Sequence, residues 1–304
     1  MRLHRSRTAP LHVRVDGDFR LDEKRGFYDL LRDYYTRIAS LHMLWGNQSV
    51  FGGRAFPRLR LLDVKHWTPV HSKSEWGTMP ELRSLRLRSM NFSVVPSNDL
   101  ASLKVLILSN TDHISLPRHS PSLTTLMLDD ISLVDTISGP MSFPSLTYLS
   151  LYNARGLKPY VNAPYLVTYH EGGSNVGESF SAPLHSLVEY GVYGLNSKYS
   201  DPTKWHHSFP NISRVFIRAD PPVLNPFLDS LSGPSKPLPA LRMISAGIVR
   251  TGFRPFTEAH QEIVDNFTEV RSEGRRLGIT LCFEAGPPFE IPIFFGKVCS
   301  CLIR

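Results

Sequence analysis

Ser120-Pro121-Ser122-Leu123-Thr124-Thr125-Leu126-Met127-Leu128 and Phe143-Pro144-Ser145-Leu146-Thr147-Tyr148-Leu149-Ser150-Leu151 are two copies of one pattern, 23 residues apart. Each runs from a small or apolar residue through Pro and a variable position into Leu-x-x-Leu-x-Leu. Three further copies stand directly upstream. Phe56-Pro57 leads to Leu59, Leu62 and Val64; Met79-Pro80 leads to Leu82, Leu85 and Leu87; and Leu103, Leu106 and Leu108 follow without the proline. The first leucines of the five copies are spaced 23, 21, 20 and 23 residues apart. One such copy would fit a helix face equally well, but five contiguous copies phased by proline mark a repeating structural unit.

A period of 20 to 29 residues with this leucine spacing is that of leucine-rich repeats. The Leu-x-Leu pair suits a short strand, where alternate side chains point the same way and both leucines enter a core. No unit can bury its apolar face alone, so stacking parallel strands makes one shared apolar column. Proline lacks a backbone donor, which fits the start of the strand and not its middle.

Degenerate copies extend the array: Ile38, Leu41 and Met43 upstream; Leu166 with Tyr169, then Leu187, Tyr190 and Val192, downstream. Phe209-Pro210 introduces Ile212, Val215 and Ile217, and Leu238-Pro239 introduces Leu241 and Ile244, with gaps stretched to 25 and 29 residues. The extra residues there predict longer loops or short helices. The expected fold is an α/β leucine-rich-repeat solenoid, with parallel strands on the concave face and short helices or loops on the convex face. Its right-handed connections follow from the general rule for parallel crossovers.

Three parts follow along the chain: residues 1–45 as an N-terminal cap, 46–250 as irregular repeats, and 251–304 as a C-terminal cap and apolar tail. In the first, Leu11, Val13 and Val15 alternate as a strand, and a helix from about Lys24 to Ile38 aligns Phe27, Leu30, Leu31 and Tyr34. In the last, Phe256, Ala259, Ile263, Val264, Phe267 and Val270 recur at helical spacing, and Ile279, Leu281 and Phe283 alternate as a strand. The tail begins at Pro287.

Of the net charge of +7, six come from the first sixty residues, where twelve Lys and Arg stand against six Asp and Glu; the remainder holds 22 against 21. A nucleic-acid binder would stripe its cations along a face, so that reading is kept only as the alternative of a basic N-terminal arm. Cys282, Cys299 and Cys301 have no framework spacing, which points to a reducing compartment, cytoplasmic or nuclear. No apolar run is long enough to span a membrane. Acidic residues from Asp16 onward and Pro10 argue against a transit peptide, and the sequons at Asn47, Asn91, Asn211 and Asn266 carry no weight in an intracellular protein.

No motif points to an enzyme. Gly172-Gly173-Ser174-Asn175-Val176-Gly177 lacks both the nucleophile-elbow and the dinucleotide spacing and reads as a turn. His170-Glu171 begins like a zinc-protease motif, but Ser174 stands where the second histidine is required. His206-His207 and Cys299-x-Cys301 have no matching second pair, and Cys301-Leu302-Ile303-Arg304 ends on a residue that prenylation boxes do not favour. No metal or cofactor is therefore expected.

Strand alternation assigns an exposed face to the residues between the core leucines. Val105, Ile107 and Met127 fall beside Tyr148 and Tyr152, flanked by Arg86 and Arg88, with His170, Tyr193 and Phe216 further along. Aromatic residues, Met and Arg are those that interfaces favour, so these ten form the expected partner-binding surface of a monomer.

The opening Arg5-Ser-Arg-Thr-Ala-Pro-Leu-His-Val-Arg-Val-Asp16, the Phe-Pro-x-Leu repeats and the late amphipathic helix together resemble fungal F-box proteins with leucine-rich repeats, of the mushroom type especially. The likeness covers nearly the whole chain. It implies a substrate receptor of SCF-type ubiquitin ligases, whose F-box grips the cullin adaptor while the repeats hold the substrate. The Leu-Pro-x-Glu-like start of an F-box is not found here, and the chain opens where that module would have ended. The expectation is therefore a chain that binds an unidentified protein and reaches the cullin adaptor only if an F-box is supplied.

Overall fold

The structure is a computed structural model that describes residues 8–15, 33–47, 54–68, 78–89, 102–114, 116–133, 139–154, 156–176, 179–194, 202–219, 238–249 and 278–284. It comprises two compact units, Met1–Ala163 and Pro164–Arg304. Each is a parallel-strand solenoid, in which successive strands lie side by side and point the same way.

The first unit contains β1 (Leu11–Val15), β2 (Ile38–Asn47), β3 (Leu61–Thr68), β4 (Ser84–Arg88), β5 (Val105–Ile114), β6 (Thr125–Leu133), β7 (Met141–Ser142), β8 (Tyr148–Tyr152) and β9 (Val161–Asn162). Its main sheet has the order β1-β2-β3-β4-β5-β6-β8, and β7 and β9 pair separately. The register sets Leu62, Leu85, Leu106, Leu126 and Leu149 in one row and Val64, Leu87, Leu108, Leu128 and Leu151 in the next. All ten are at most 1% exposed. Burying a leucine is worth roughly 1.5–3 kcal/mol, and Leu85, Leu87, Leu106, Leu108, Leu126 and Leu128 each do so against a counterpart on both sides.

Proline plays a different part from the one its missing donor suggests. In Phe56-Pro57-Arg58-Leu59 the Leu59 N–H donates to the Phe56 carbonyl at 3.2 Å, and the same bond joins Leu82 to Met79 at 3.0 Å and Leu146 to Phe143 at 3.1 Å. Proline thus stands at the second position of a β-turn, where its fixed φ is already correct. The residue before it is a core position in its own right: Phe56, Met79 and Phe143 are each at most 2% exposed. After the turn, one carbonyl per coil accepts two amides of the next. Arg83 and Ser84 donate to Arg60, Lys104 and Val105 to Arg83, and Thr124 and Thr125 to Lys104.

A second recurrent feature is conformational. Two residues beyond the last core leucine of each coil, Ser89, Asn110, Asp130 and Asn153 have φ between 48° and 52°, and Gly194 occupies the equivalent place in the second unit with φ 72°. Asn, Asp and Gly tolerate this left-handed region best, so the residue types follow from the bend that ends each strand.

The second unit contains β10 (Thr168–Gly172), β11 (Glu189–Tyr193), α1 (Pro202–Ser208), β12 (Arg214–Ala219), β13 (Met243–Val249) and β14 (Gly278–Glu284), with sheet order β10-β11-β12-β13-β14. Helix α1 falls in the 25-residue gap, where a longer loop or short helix is expected. It docks through Trp205, 7% exposed and edge-on to Tyr190 at 4.8 Å. Its core rows are Tyr169, Tyr190, Val215 and Ile244, and Glu171, Val192 and Ile217. Glu171 therefore stands where a leucine belongs and is 3% exposed. Its carboxylate accepts hydrogen bonds from the hydroxyls of Tyr169, at 2.7 Å, and Tyr190. Burial, then the adjacent Glu171 charge and hydrogen bond, push the Tyr190 phenol well above its ordinary value, so it remains a donor.

At the ends, β1 and β14 lie where alternation places them. Ile38 does not close a helix: a 3-10 turn at Tyr35–Arg37 precedes it, and Ile38 opens β2, fully buried, because its partner in the sheet is Leu11. Most of the expected N-terminal helix, the whole of the helix expected over residues 256–270, and the tail from Pro287 with Cys299 and Cys301 lie outside the described residues. Gly172 closes β10, and the expected turn begins only at Gly173, whose φ is 59°.

Candidate functional site

In the first unit the face opposite the leucine rows carries three rows of its own. Ser84, Val105, Thr125 and Tyr148 form one; Asp63, Arg86, Ile107, Met127 and Ser150 the next; Arg88, Ser109, Asp129 and Tyr152 the third. The structure brings Arg86, Arg88, Val105, Met127, Tyr148 and Tyr152 together on four neighbouring strands, all half-buried. Ile107, expected to be exposed, is only 9% so, because it sits mid-row with the long side chains of Arg86 and Met127 in register on either side.

Electrostatics on this face are uneven. Asp63 is held by His42, whose Nδ1 lies 3.4 Å from its carboxylate. Burial, with Asp130 next to it, pushes the Asp129 carboxyl up to about 6, and the more distant Arg88 only partly opposes this. Among the described residues the guanidiniums of Arg86 and Arg88 have no hydrogen bond or ion pair, and Nε of Arg86 and Oγ of Ser84 are buried without a partner.

In the second unit the equivalent face holds His170, Glu189, Tyr193, Arg214 and Phe216. His170 is the second residue expected to be exposed that is not, at 2%. The cause is Gly191, its register partner on β11, which has no side chain to keep the imidazole off the sheet. Nε2 of His170 lies 3.3 Å from the Glu189 carboxylate, and Nδ1 lies 3.4 Å from the Tyr193 hydroxyl. When Nε2 donates to Glu189, Nδ1 of the neutral ring is left to accept from Tyr193. Arg214 closes the chain, 3.2 Å from the other Glu189 oxygen. The His170 hydrogen bond holds the Glu189 carboxyl below its ordinary value against the effect of burial, and Arg214 adds to this. Tyr193 packs on Phe216 with ring centres 5.5 Å apart.

This arrangement fixes side chains and leaves little open to a small substrate, since both imidazole nitrogens face protein groups in a ring almost closed to solvent. His170 and Glu171 point to opposite faces of β10, so they cannot share a metal ion. Among the described residues no three His, Cys, Asp or Glu side chains are grouped to hold one, and no helix is long and apolar enough to cross a membrane. Among the described residues the most exposed large apolar side chains lie off the expected surface: Tyr165, 66% exposed in the turn after Pro164, and Val167, at 38%. Position in the turn between coils was the available signal for Tyr165. No family model, curated protein or solved structure matches the chain.

Proposed function

We propose that this chain is a non-catalytic protein-protein interaction scaffold, a leucine-rich-repeat substrate-recognition module akin to the receptors of SCF-type ubiquitin ligases, acting in the cytoplasm or nucleus. One observation carries the reading: Arg86, Arg88, Val105, Met127, Tyr148 and Tyr152 stand in register on adjacent strands of one face, partly open. β-Branched and aromatic residues suit any sheet. Two guanidiniums beside them without partners among the described residues are not explained by sheet packing, whereas interfaces collect Arg, Tyr and Met.

The proposal for these 304 residues is that they bind a protein through this face and reach the cullin adaptor only where an F-box is supplied. The test is affinity capture with chemical cross-linking, comparing the parent chain with Met127→Asp, Tyr148→Ala and, as a control on an exposed turn, Arg58→Glu. Loss of the captured protein with the first two and not the third supports the face. Loss only with the control moves the site elsewhere, and co-precipitation of the cullin adaptor by this chain alone overturns the proposed division of labour. Capture of nucleic acid that weakens steeply with salt would favour the basic arm instead.

A further inference from the structure

We infer that the strand face of the first unit takes an acidic, apolar peptide segment, with one carboxylate on Arg86 and Arg88 and a large apolar side chain three or four extended residues away over Met127, Tyr148 and Tyr152. The inference rests on reading that face as the partner site and adds the partner's chemistry.

Arg86 and Arg88 occupy alternate positions of β4, about 7 Å apart along the strand. The nearest acid in register, Asp63, is engaged by His42. Asp129 shares the row of Arg88 but lies two strands away, about 10 Å, and Arg88 only partly offsets the burial that raises its carboxyl. Both guanidiniums are therefore left without an acceptor among the described residues, and the Arg86 Nε and Ser84 Oγ are buried without one. Groups so placed cost stability unless something satisfies them. A carboxylate is the acceptor whose geometry matches a guanidinium, through paired N–H bonds.

The rest of the face limits the ligand. Arg14 and Lys65 share this face with the two guanidiniums, so four cations stand against the carboxyls of Asp63 and Asp129, an excess of two that is far below the striped cations a polyanion such as nucleic acid requires. Strands β4, β5 and β6 are each paired on both sides, so their backbones cannot accept a further strand. The ligand must cross them and be read by side chains. Strands are spaced about 4.8 Å apart, which puts Met127 on β6 about 10 Å from β4 and Tyr148 and Tyr152 on β8 about 14 Å from it. An extended peptide covers that distance in about three to four residues.

The test uses fluorescein-labelled peptides in a Gly/Ser background, each with one Glu and one Phe at increasing separations, read by fluorescence anisotropy. Matched sets carry Gln or phosphoserine in place of Glu. Tightest binding is expected at a separation of three or four residues, weakened about tenfold by Gln in the peptide and by Arg86→Gln or Arg88→Gln in the protein. The double variant Arg86→Glu/Arg88→Glu, with its melting temperature checked, should instead prefer peptides carrying Lys. Absence of binding by every Glu peptide, tighter binding of the phosphoserine set, or indifference to the Arg substitutions would overturn the inference. If a protein is captured through Met127 and Tyr148 yet its capture ignores Arg86 and Arg88, the inference fails while the partner face stands; if neither peptide nor protein depends on the face, both fail.

Discussion

A β-carbon at Gly191 would stand 2.8 Å from Cδ2 of His170, closer than two carbons approach, so the imidazole of β10 fills the space of a missing side chain on β11. Gly191→Ala should therefore lift the ring off the sheet and lengthen its contacts to Glu189 and Tyr193. The expected loss is about 1–3 kcal/mol, in the range of an overpacked core site. Chemical denaturation would measure it, and NMR titration should find the Glu189 carboxyl moved back toward its ordinary value. In the His170→Ala background the same substitution should cost much less, since the clash is gone. Additive losses would mean that the two residues do not share this space.

Leu126 is fully buried between Leu106 and Leu149 in the same row. Leu126→Ala leaves a cavity that neighbours on both sides can fill only in part, at a cost of about 2–5 kcal/mol. An unchanged urea midpoint would contradict the placement of that row.

The leucine rows were legible because a strand repeats every two residues and each coil repeats the same three positions, so the phasing of Leu85, Leu106 and Leu126 needed no tertiary information. What was not legible came from pairs that meet only across coils. The burial of His170 depends on Gly191, 21 residues later, having no side chain. Ile107 looks exposed by alternation and is covered by its lateral neighbours. Glu171 breaks the leucine pattern in sequence, and only the structure shows two tyrosine hydroxyls meeting it. The left-handed residues from Ser89 to Asn153 were readable in principle, because Asn, Asp and Ser recur at one place in the coil.

Asp129 should make stability depend on pH in the sense opposite to a salt-bridged acid. Its carboxyl titrates at about 6 in the fold against an ordinary 3.8, so the folded state binds the proton more tightly. Its favourable contribution is complete below about pH 4 and is lost as pH rises through about 6. Asp129→Asn should then raise the melting temperature at pH 7.5, by the equivalent of about 1 kcal/mol after allowing for solvent screening, and have little effect at pH 4. A stabilisation of equal size at both pH values would place the cause elsewhere.

Glu171 offers the sharpest test of the second unit, because it replaces an apolar residue in the core row and is hydrogen-bonded there by Tyr169 and Tyr190. A consensus argument from the repeat would put leucine at this position and expect a more stable protein. The hydroxyls argue otherwise. Glu171→Leu removes the acceptor of two buried hydroxyls, at roughly 1–3 kcal/mol each, against roughly 1.5–3 kcal/mol for one added buried side chain. The single variant should therefore be destabilised despite matching the pattern. Removing both hydroxyls as well, in Glu171→Leu/Tyr169→Phe/Tyr190→Phe, should recover part of the loss, since an apolar replacement for a whole buried polar group is often nearly neutral. Tyr169→Phe/Tyr190→Phe without the change at Glu171 should be worse than the triple variant, because it keeps the buried carboxylate and takes away two of the groups that hold it. Thermal melts of the four proteins decide the matter. A Glu171→Leu chain more stable than the parent would show that the tyrosine hydroxyls find other acceptors and that the carboxylate is not what holds this row.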